Sequence, residues 1–459
     1  MHYEKFQDGT VKCIEDEIPF EVPEGWAWCK LNDIYNFIDY RGATPTKITN
    51  GIPLVTAKNV KSGYIDYTID DYISEEEFKE RQQRGISKKG DILFTTEAPL
   101  GNAALADMEK FSAGQRLITF QQYGSKDELI NYVMLMFILS DFFQQQLYVN
   151  KTGSTVAGIK AAILKTLWIP VPPYNEQLRI SNTLKSAINL IDSISKNKEI
   201  LSTSISNTKS KILDLAIRGK IVPQDPNDEP ASVLLERIRA EKEELIKQGK
   251  IKRDKKESVI FKGDDNSYYL RTGGVEESLE DWRFDDLPET WKICCLWELC
   301  DYGDCINVNT EDIAEDAWIL DLEDIEKDTG TVLKKVTKAQ RNSVSTKHKF
   351  HSGQVLYSKL RPYLNKVVLS DADGYCTSEI LPLEFKNCVL PEYARYYLMS
   401  GTFIAYANHC SYGVKMPRLG TTDGKKAIFS LPPLSEQKRI VETIDFCFMQ
   451  LNKISEALA

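Results

Sequence analysis

From Leu184 onward the apolar positions fall at Ile188, Ile191 and Ile194, then at Leu201, Ile205, Thr208, Ile212 and Leu215. Steps of three and four dominate this run, with one irregular step near Ile191 to Ile194, which is the period of an amphipathic helix with a heptad-like stripe. Pro172-Pro173 cannot continue a preceding helix and Gly219 closes the run, so the pattern predicts a helix from Glu176 to Arg218. At about 1.5 Å per residue it would be about 65 Å long. Helices of that length with such a stripe pair with others. A second stripe, Ile440, Ile444, Phe448, Leu451 and Ile454, predicts a shorter helix from Glu436. The two are expected to zip together and to hold the flanking units a fixed distance apart.

Elsewhere the period shortens. Ile52–Ala57, Asp91–Thr96 and Arg116–Phe120 read as strands cut by turn signals such as Lys61-Ser-Gly63 and Lys89-Gly-Asp91, while Leu129–Leu147 has helical spacing. Residues 317–322 and 353–358 repeat the strand pattern, and 392–399 the helical one. Between the halves, Ile221–Pro230 is a turn-rich link, with Ser232 placed to cap a helix over Val233–Lys247. Lys250–Lys256 is a basic tract expected to be a solvated linker. The fold class is therefore α+β, two mixed globular domains separated by long coiled-coil-type helices. The domain reading is 1–174 globular, 175–264 helical, 265–434 globular and 435–459 helical.

The chain repeats itself. Pro172-Pro-Tyr-Asn-Glu-Gln-Leu-Arg-Ile180 returns as Pro432-Pro-Leu-Ser-Glu-Gln-Lys-Arg-Ile440, and Pro23-Glu-x-Trp26 with Cys29 and Leu31 returns as Pro288-Glu-x-Trp291 with Cys294 and Leu296. Gly90-x-x-Leu93 with Pro99 and Asn102 answers Gly353-x-x-Leu356 with Pro362 and Asn365; Gly9 and Val11 answer Gly273 and Val275. A tandem module points to two copies of whatever is bound. At the offset of the double prolines Ala459 corresponds to Glu199, so nothing in the second unit answers residues 200 to about 262.

Composition narrows the class without deciding it. With 42% hydrophobic and 27% charged residues the chain reads as globular, and no run of about 18 apolar residues could span a bilayer. The N-terminal residues have no apolar signal core, so a cytoplasmic location is expected. Ten scattered cysteines with no Cys-x-x-Cys pair, and four histidines of which His348 and His351 are the closest, predict buried free thiols and no metal site. A net charge of -9 argues mildly against nucleic acid, but binding depends on local patches.

Catalytic machinery is not visible. Val171-Pro-Pro-Tyr174 has an apolar residue where amino-methyltransferases use Asn, Asp or Ser, and Leu431 holds the equivalent place. Gly153–Lys160 and Gly420–Lys426 lack the spacing of a phosphate-binding loop. What gathers instead are side chains that grip phosphates and read base edges. In the first unit the candidates are Lys58, Asn59, Lys61, Arg81, Arg84, Arg116, Lys151, Ser154 and Thr155. In the second they are Lys334, Lys335, Arg341, Asn342, Lys359, Arg361, Lys415, Arg418 and Lys425. Helix pairing and subunit docking are assigned to Glu176, Gln177, Arg179, Leu201, Ile205, Ile212, Leu215, Glu436, Gln437, Arg439, Ile444 and Phe448.

The doubled Pro-Pro-x-x-Glu-Gln-x-Arg-Ile motif, Leu215–Ser232 and Val22-Pro-Glu-Gly-Trp26 resemble the specificity subunits of type I restriction-modification systems. The resemblance implies a cytoplasmic, non-catalytic reader of double-stranded DNA with two target-recognition domains, each reading half of an asymmetric bipartite site. It implies docking of two methyltransferase subunits that carry S-adenosylmethionine, and of a restriction/translocase subunit that uses ATP with Mg; no cofactor is expected on this chain. Two other readings stand beside it, a coiled-coil protein-interaction scaffold and a fused DNA adenine methyltransferase.

Overall fold

The computed structural model describes residues 3–458 apart from 7, 41–43, 69–70, 125–128, 153–156, 251–257, 266, 281–286 and 342–344. The chain forms two compact units, Met1–Ser195 and Lys196–Ala459. Among the described residues no helix is long and apolar enough to cross a membrane.

Each unit is closed by a strand pair that joins its start to its end. In the first, Ala27–Lys30 pairs antiparallel with Trp168–Val171; in the second, Lys292–Cys295 pairs with Ile428–Leu431. Each closing strand runs directly into a double proline, which ends strand pairing and opens a helix. Between these ends both units carry a three-strand antiparallel core. Ile92–Thr96 lies between Leu100–Leu105 and Leu117–Gln122, with Tyr35–Asp39 outside. Val355–Ser358 lies likewise between Val367–Leu369 and Ile380–Leu383. Gly90 and Gly353 turn the chain into the two central strands at φ of +91° and +89°, a left-handed conformation that Cβ-bearing residues rarely take.

The apolar run Leu129–Leu147 forms two helices, Asn131–Leu139 and Asp141–Val149, because Ser140 takes an extended conformation and its hydroxyl accepts from the Phe143 amide. Pro391–Leu398 and Gly401–His409 repeat the arrangement, with Ser400 as the cap. These pairs cover one face of the sheet in each unit. Phe94, Phe120, Met134 and Phe143 fill the first core; Tyr393, Tyr397, Phe403 and Phe429 fill the second. Burying each such side chain contributes about 1.5–3 kcal/mol. The tyrosine hydroxyls stay satisfied, Tyr393 donating to the Ser430 carbonyl and Tyr397 to that of Ile428. The second unit adds a five-stranded mixed sheet containing Trp318–Leu320, Lys347–Phe350 and Gly374–Thr377. Cys294, Cys295 and Cys300 are buried free thiols, the first and last within the second core, and burial pushes the Cys295 thiol up to about 12.

The long helix spans Tyr174–Ala216, two residues ahead of the sequence-based span at both ends. It ends at Gly219, whose φ is +66° and whose missing Cβ leaves room for Pro288 and Trp291. The next helix, Ala231–Lys247, starts at Pro230 with no side-chain cap, so Ser232 lies inside it and is not the predicted N-cap. Of the basic tract Lys250–Lys256, residues 251–256 lie outside the described residues. The distal helix runs from Leu434 to Ala457.

Pairing of the long and distal helices is confined to the second unit. Leu213, Ala216 and Ile217 share a buried cluster with Ile440 and Ile444, with Ile212 and Phe448 packed at its edge. Lys209 donates to Asn452 and sits over the Phe448 ring. Ile205 is also buried, and Leu215 is half-buried. Leu201, expected in the packed stripe, is 40% exposed, because the wall that buries the helix ends with the turn holding Ile205. Replacing Leu213 by alanine should therefore destabilise the second unit by about 2–5 kcal/mol. Leu201→Ala should cost no more than about 0.5 kcal/mol, within the range of surface changes. Urea unfolding of the full chain checks this, and equal losses at the two positions would contradict the boundary.

Candidate nucleic-acid interface

The repeated Glu-Gln of the helix openings faces inward. Gln177 is fully buried, accepts from the Ile130 amide at 2.7 Å and donates to the Pro172 carbonyl at 2.9 Å. Gln437 repeats this, accepting from the Leu390 amide at 2.8 Å and donating to Pro432 at 3.0 Å and Cys388 at 2.8 Å. The indole of Trp26 donates to Glu176 at 3.0 Å, and that of Trp291 to Glu436 at 2.9 Å. These four residues were assigned to subunit docking; instead they tie each helix to its own globular unit. Each glutamine satisfies the first amide of a helix pair, a donor that would otherwise be buried without a partner. Arg439 makes a two-point ion pair with Asp228 in the link, whereas Arg179 is exposed.

At another edge of each unit, two loops meet to form a tip. In the second unit the turn after Val355–Ser358 joins the hairpin Ser411–Leu419: the Arg361 amide donates to Pro417 at 2.7 Å, and the Leu419 amide to Lys359 at 3.0 Å. In the first unit the turn after Ile92–Thr96 meets residues 157–159, with Glu97 bridged to Gly158 and the Ile159 amide donating to Thr96 at 3.0 Å. The residue preceding the shared proline is left-handed in both, Ala98 at φ +44° and Arg361 at φ +50°. A left-handed conformation is uncommon for a residue that carries a Cβ, so it stores strain in both tips.

The second tip brings together four sequence candidates, Lys359, Arg361, Lys415 and Arg418. Lys415 is exposed, and Arg418 is held by Glu379 through a forked pair at 2.8–3.1 Å. Around them Tyr363, Tyr412, Val414 and Met416 project into solvent, with Val414 fully exposed. These apolar residues escaped sequence reading because they look like core; the Gly413 turn beside them was the available signal. The first tip holds Arg116, paired to Glu97 at 3.0 Å, with Lys151 nearby over the exposed Tyr148 ring. Hydrogen bonding to Lys151 lowers the Tyr148 pKa. Ser154, Thr155 and Asn342 lie outside the described residues.

Other candidates lie elsewhere. Asn59 is buried, accepting from the Thr56 amide and hydroxyl and donating to the Asp66 carbonyl, so it fixes a turn. Arg81 is buried against Tyr40, donating to Ser112 and the Ala113 carbonyl. Arg341 is enclosed by Asp321, Asp324 and Glu323. These three are corrected to structural roles, since a side chain already desolvated and bonded is not offered to a base edge. Lys334 faces Asp324, Lys335 bonds Asp371, and Lys425 lies 4.0 Å from Asp304. Lys58 is exposed, Lys61 lies 3.9 Å from Asp66, and Arg84 donates to the Asp39 carbonyl. The structure does not gather these six into the tips.

Two domains of one DNA-specificity class account for the doubled architecture: the family described as "Type I restriction modification DNA specificity domain" matches residues 23–202 and 288–457. The chain belongs to that family. It is 26% identical to the type I restriction enzyme EcoAI specificity subunit of Escherichia coli, over 98% of this chain and 82% of that one. It is 24% identical to the EcoEI specificity subunit of the same species, over 99% and 83%. In fold it resembles the HsdS subunit from Thermoanaerobacter tengcongensis, with a TM-score of 0.52 and 16% identity over 96% of this chain and 93% of that chain. A chain from a structural study of type I R-M assembly and conformational transition gives a TM-score of 0.57, also at 16% identity, over 96% and 94%.

Burial raises the Glu436 pKa, opposed by its bonds to Gln224 and Trp291 and by the Arg439 charge. Ionising this carboxyl costs more in the folded chain than in the unfolded one. Its contribution to stability is therefore complete below the unfolded pKa of about 4.3 and is lost as pH rises through the folded value. Compared with Glu436→Gln, the unsubstituted chain should be most favoured near pH ~4 and lose ground toward pH ~7. Urea midpoints of both proteins at each pH measure this, and a gap moving the other way would refute the assignment.

Proposed function

We propose that the chain is the DNA-reading specificity subunit of a type I restriction-modification complex, each unit reading one half of an asymmetric bipartite site through its tip. The observation that carries this reading is the tip built twice at the same place, after the central strand and beside a left-handed residue that precedes a proline, with different side chains: Lys359, Arg361, Lys415 and Tyr412 in one, Arg116, Lys151 and Tyr148 in the other. A shared scaffold with divergent side chains suits two readers of different base sequences. Methylation in such a complex belongs to partners: two methyltransferase subunits carrying S-adenosylmethionine, with a restriction/translocase subunit using ATP and Mg. The buried or half-buried apolar residues before the double prolines, Leu431 and Val171, support a role without methyl transfer, because both are strand residues feeding a helix. Purified alone, the chain should neither bind S-adenosylmethionine nor methylate DNA.

Affinity for duplex DNA should fall steeply with salt, and Lys415→Ala should reduce the log–log slope by about 0.9 if Lys415 contacts one phosphate. Exchanging residues 30–170 for those of a homologous subunit should change one half of the sequence methylated by the assembled complex and leave the other intact. Salt-independent binding, or a swap that altered both halves, would favour the protein-scaffold reading.

A further inference from the structure

The second tip exposes apolar side chains where a solvated loop would be polar. Tyr363, Tyr412, Val414 and Met416 all project into solvent from one hairpin and the turn beside it. A lone exposed apolar residue needs no explanation, but a cluster of them on one loop marks a contact surface. Val414 stands at the apex of the hairpin and is fully exposed, ahead of Tyr412 at 61% and Met416 at 43%. It is therefore the side chain that meets an approaching surface first.

The loop that carries it is held in place. Ser411–Tyr412 pairs antiparallel with Arg418–Leu419, and Gly413 turns the chain between them at φ +96°. The Arg418 guanidinium donates to the Met416 carbonyl at 3.2 Å, and the Ser411 hydroxyl donates to the Ala407 carbonyl at 2.6 Å. A bridge from Leu360 to Arg418 adds the turn after the central strand as a third rung. A β-branched side chain is itself stiff at χ1, so the valine methyls are offered at a defined position.

Charge decides what they meet. Among the described residues Lys359, Arg361 and Lys415 make no ion pair, and the nearby Glu379 is taken by Arg418. An apolar apex among uncompensated cations matches a polyanion with apolar groups set inside its charged rim, which is the arrangement of phosphates and base edges in duplex DNA. Two paired strands about 4.8 Å apart, with their side chains, fit the major groove of about 12 Å and not the minor groove of about 6 Å. Valine neither donates nor accepts a hydrogen bond. Of the groups that base pairs display in the major groove, the one it can contact with gain is the 5-methyl of thymine. It is also shorter than the side chains that part base steps as wedges.

We infer that Val414 reads a thymine in the half-site of the second unit through the thymine 5-methyl group, with Tyr412 and Met416 excluding water around the contact. The inference rests on the DNA reading of the tips and assigns one side chain to one base within it. Cytosine, which lacks that methyl, is rejected at the same position.

The probe is duplex DNA carrying the methylated sequence, its halves assigned by the exchange of residues 30–170, with each thymine in turn replaced by uracil. Uracil removes the methyl and leaves every hydrogen-bonding group in place. The affinity of the full chain should fall about fourfold at a thymine in the second unit's half, the loss expected for one buried methyl-sized group. Val414→Ala should weaken binding to the thymine duplex by a similar factor and bind the thymine and uracil duplexes equally at that position. Its response to uracil in the other half should match that of the unsubstituted chain, and an unchanged urea midpoint should show that the fold is intact. Tolerance of uracil throughout that half, a half with no thymine in either strand, or a uracil loss that persists in Val414→Ala would overturn the inference and leave the DNA reading standing. Absence of site-specific, salt-dependent binding by the unsubstituted chain would remove both.

Discussion

Each unit depends on a buried glutamine and a glutamate at the first turn of a helix. A helix N-terminus leaves amides without intrahelical partners, and in both units the start of the buried helical pair meets the start of the outgoing helix. Gln177 and Gln437 bridge them, accepting from Ile130 and Leu390 and donating back to the proline carbonyls. Neither end could be buried without that bond, because an unsatisfied buried donor costs about 1–3 kcal/mol. The neighbouring glutamate takes the indole of the tryptophan that precedes the first closing strand. Together they fix the start of the unit, its helical pair and its exit helix relative to one another.

That clamp lets the rest of each unit vary. The closing strands, the three-strand core and the capped helical pair recur, while the strands that fill the remaining space differ: a five-stranded mixed sheet in the second unit and a small three-stranded one in the first. The tips sit at the end of the conserved central strand, where a left-handed pre-proline residue aims the turn toward the second loop. Strain of this kind persists only where surrounding structure enforces it. The hydrogen bonds from the Arg361 amide to the Pro417 carbonyl and from the Ile159 amide to the Thr96 carbonyl provide that enforcement, so the tips are firm mounts for changeable side chains.

Much of this was legible in the sequence because the signals were local or repeated. The double prolines, the 3.6-residue period after them and the turn glycines located both helices and the core strands within a few residues. The meaning of the Glu-Gln pair was not legible. A polar pair on the first turn of a long helix reads as surface, and only the tertiary partner, an amide about 47 positions away, shows it to be interior. The same difficulty hid Asn59, Arg81 and Arg341, whose partners are turns and carboxylates brought near by the fold. Conversely, nothing in the sequence singled out Tyr412, Val414 and Met416, which project outward, since hydropathy carries no information about which side of a hairpin faces solvent.

Burial also distinguishes two helices that the periodicity made equivalent. The stripes from Ile180 to Ile194 and from Ile440 to Ile454 have the same spacing, but a stripe stabilises only when something covers it. Ile440 and Ile444 are fully buried because the end of the long helix and the link return over them, whereas their counterparts Ile180 and Leu184 are only half-buried. Exposing an isoleucine on a solvated helix forgoes about 1.5–3 kcal/mol that burial would provide. A repeat that retains the apolar spacing, the arginine and the glutamate in both copies therefore does not fix how far each stripe is buried; the residues that return over it do.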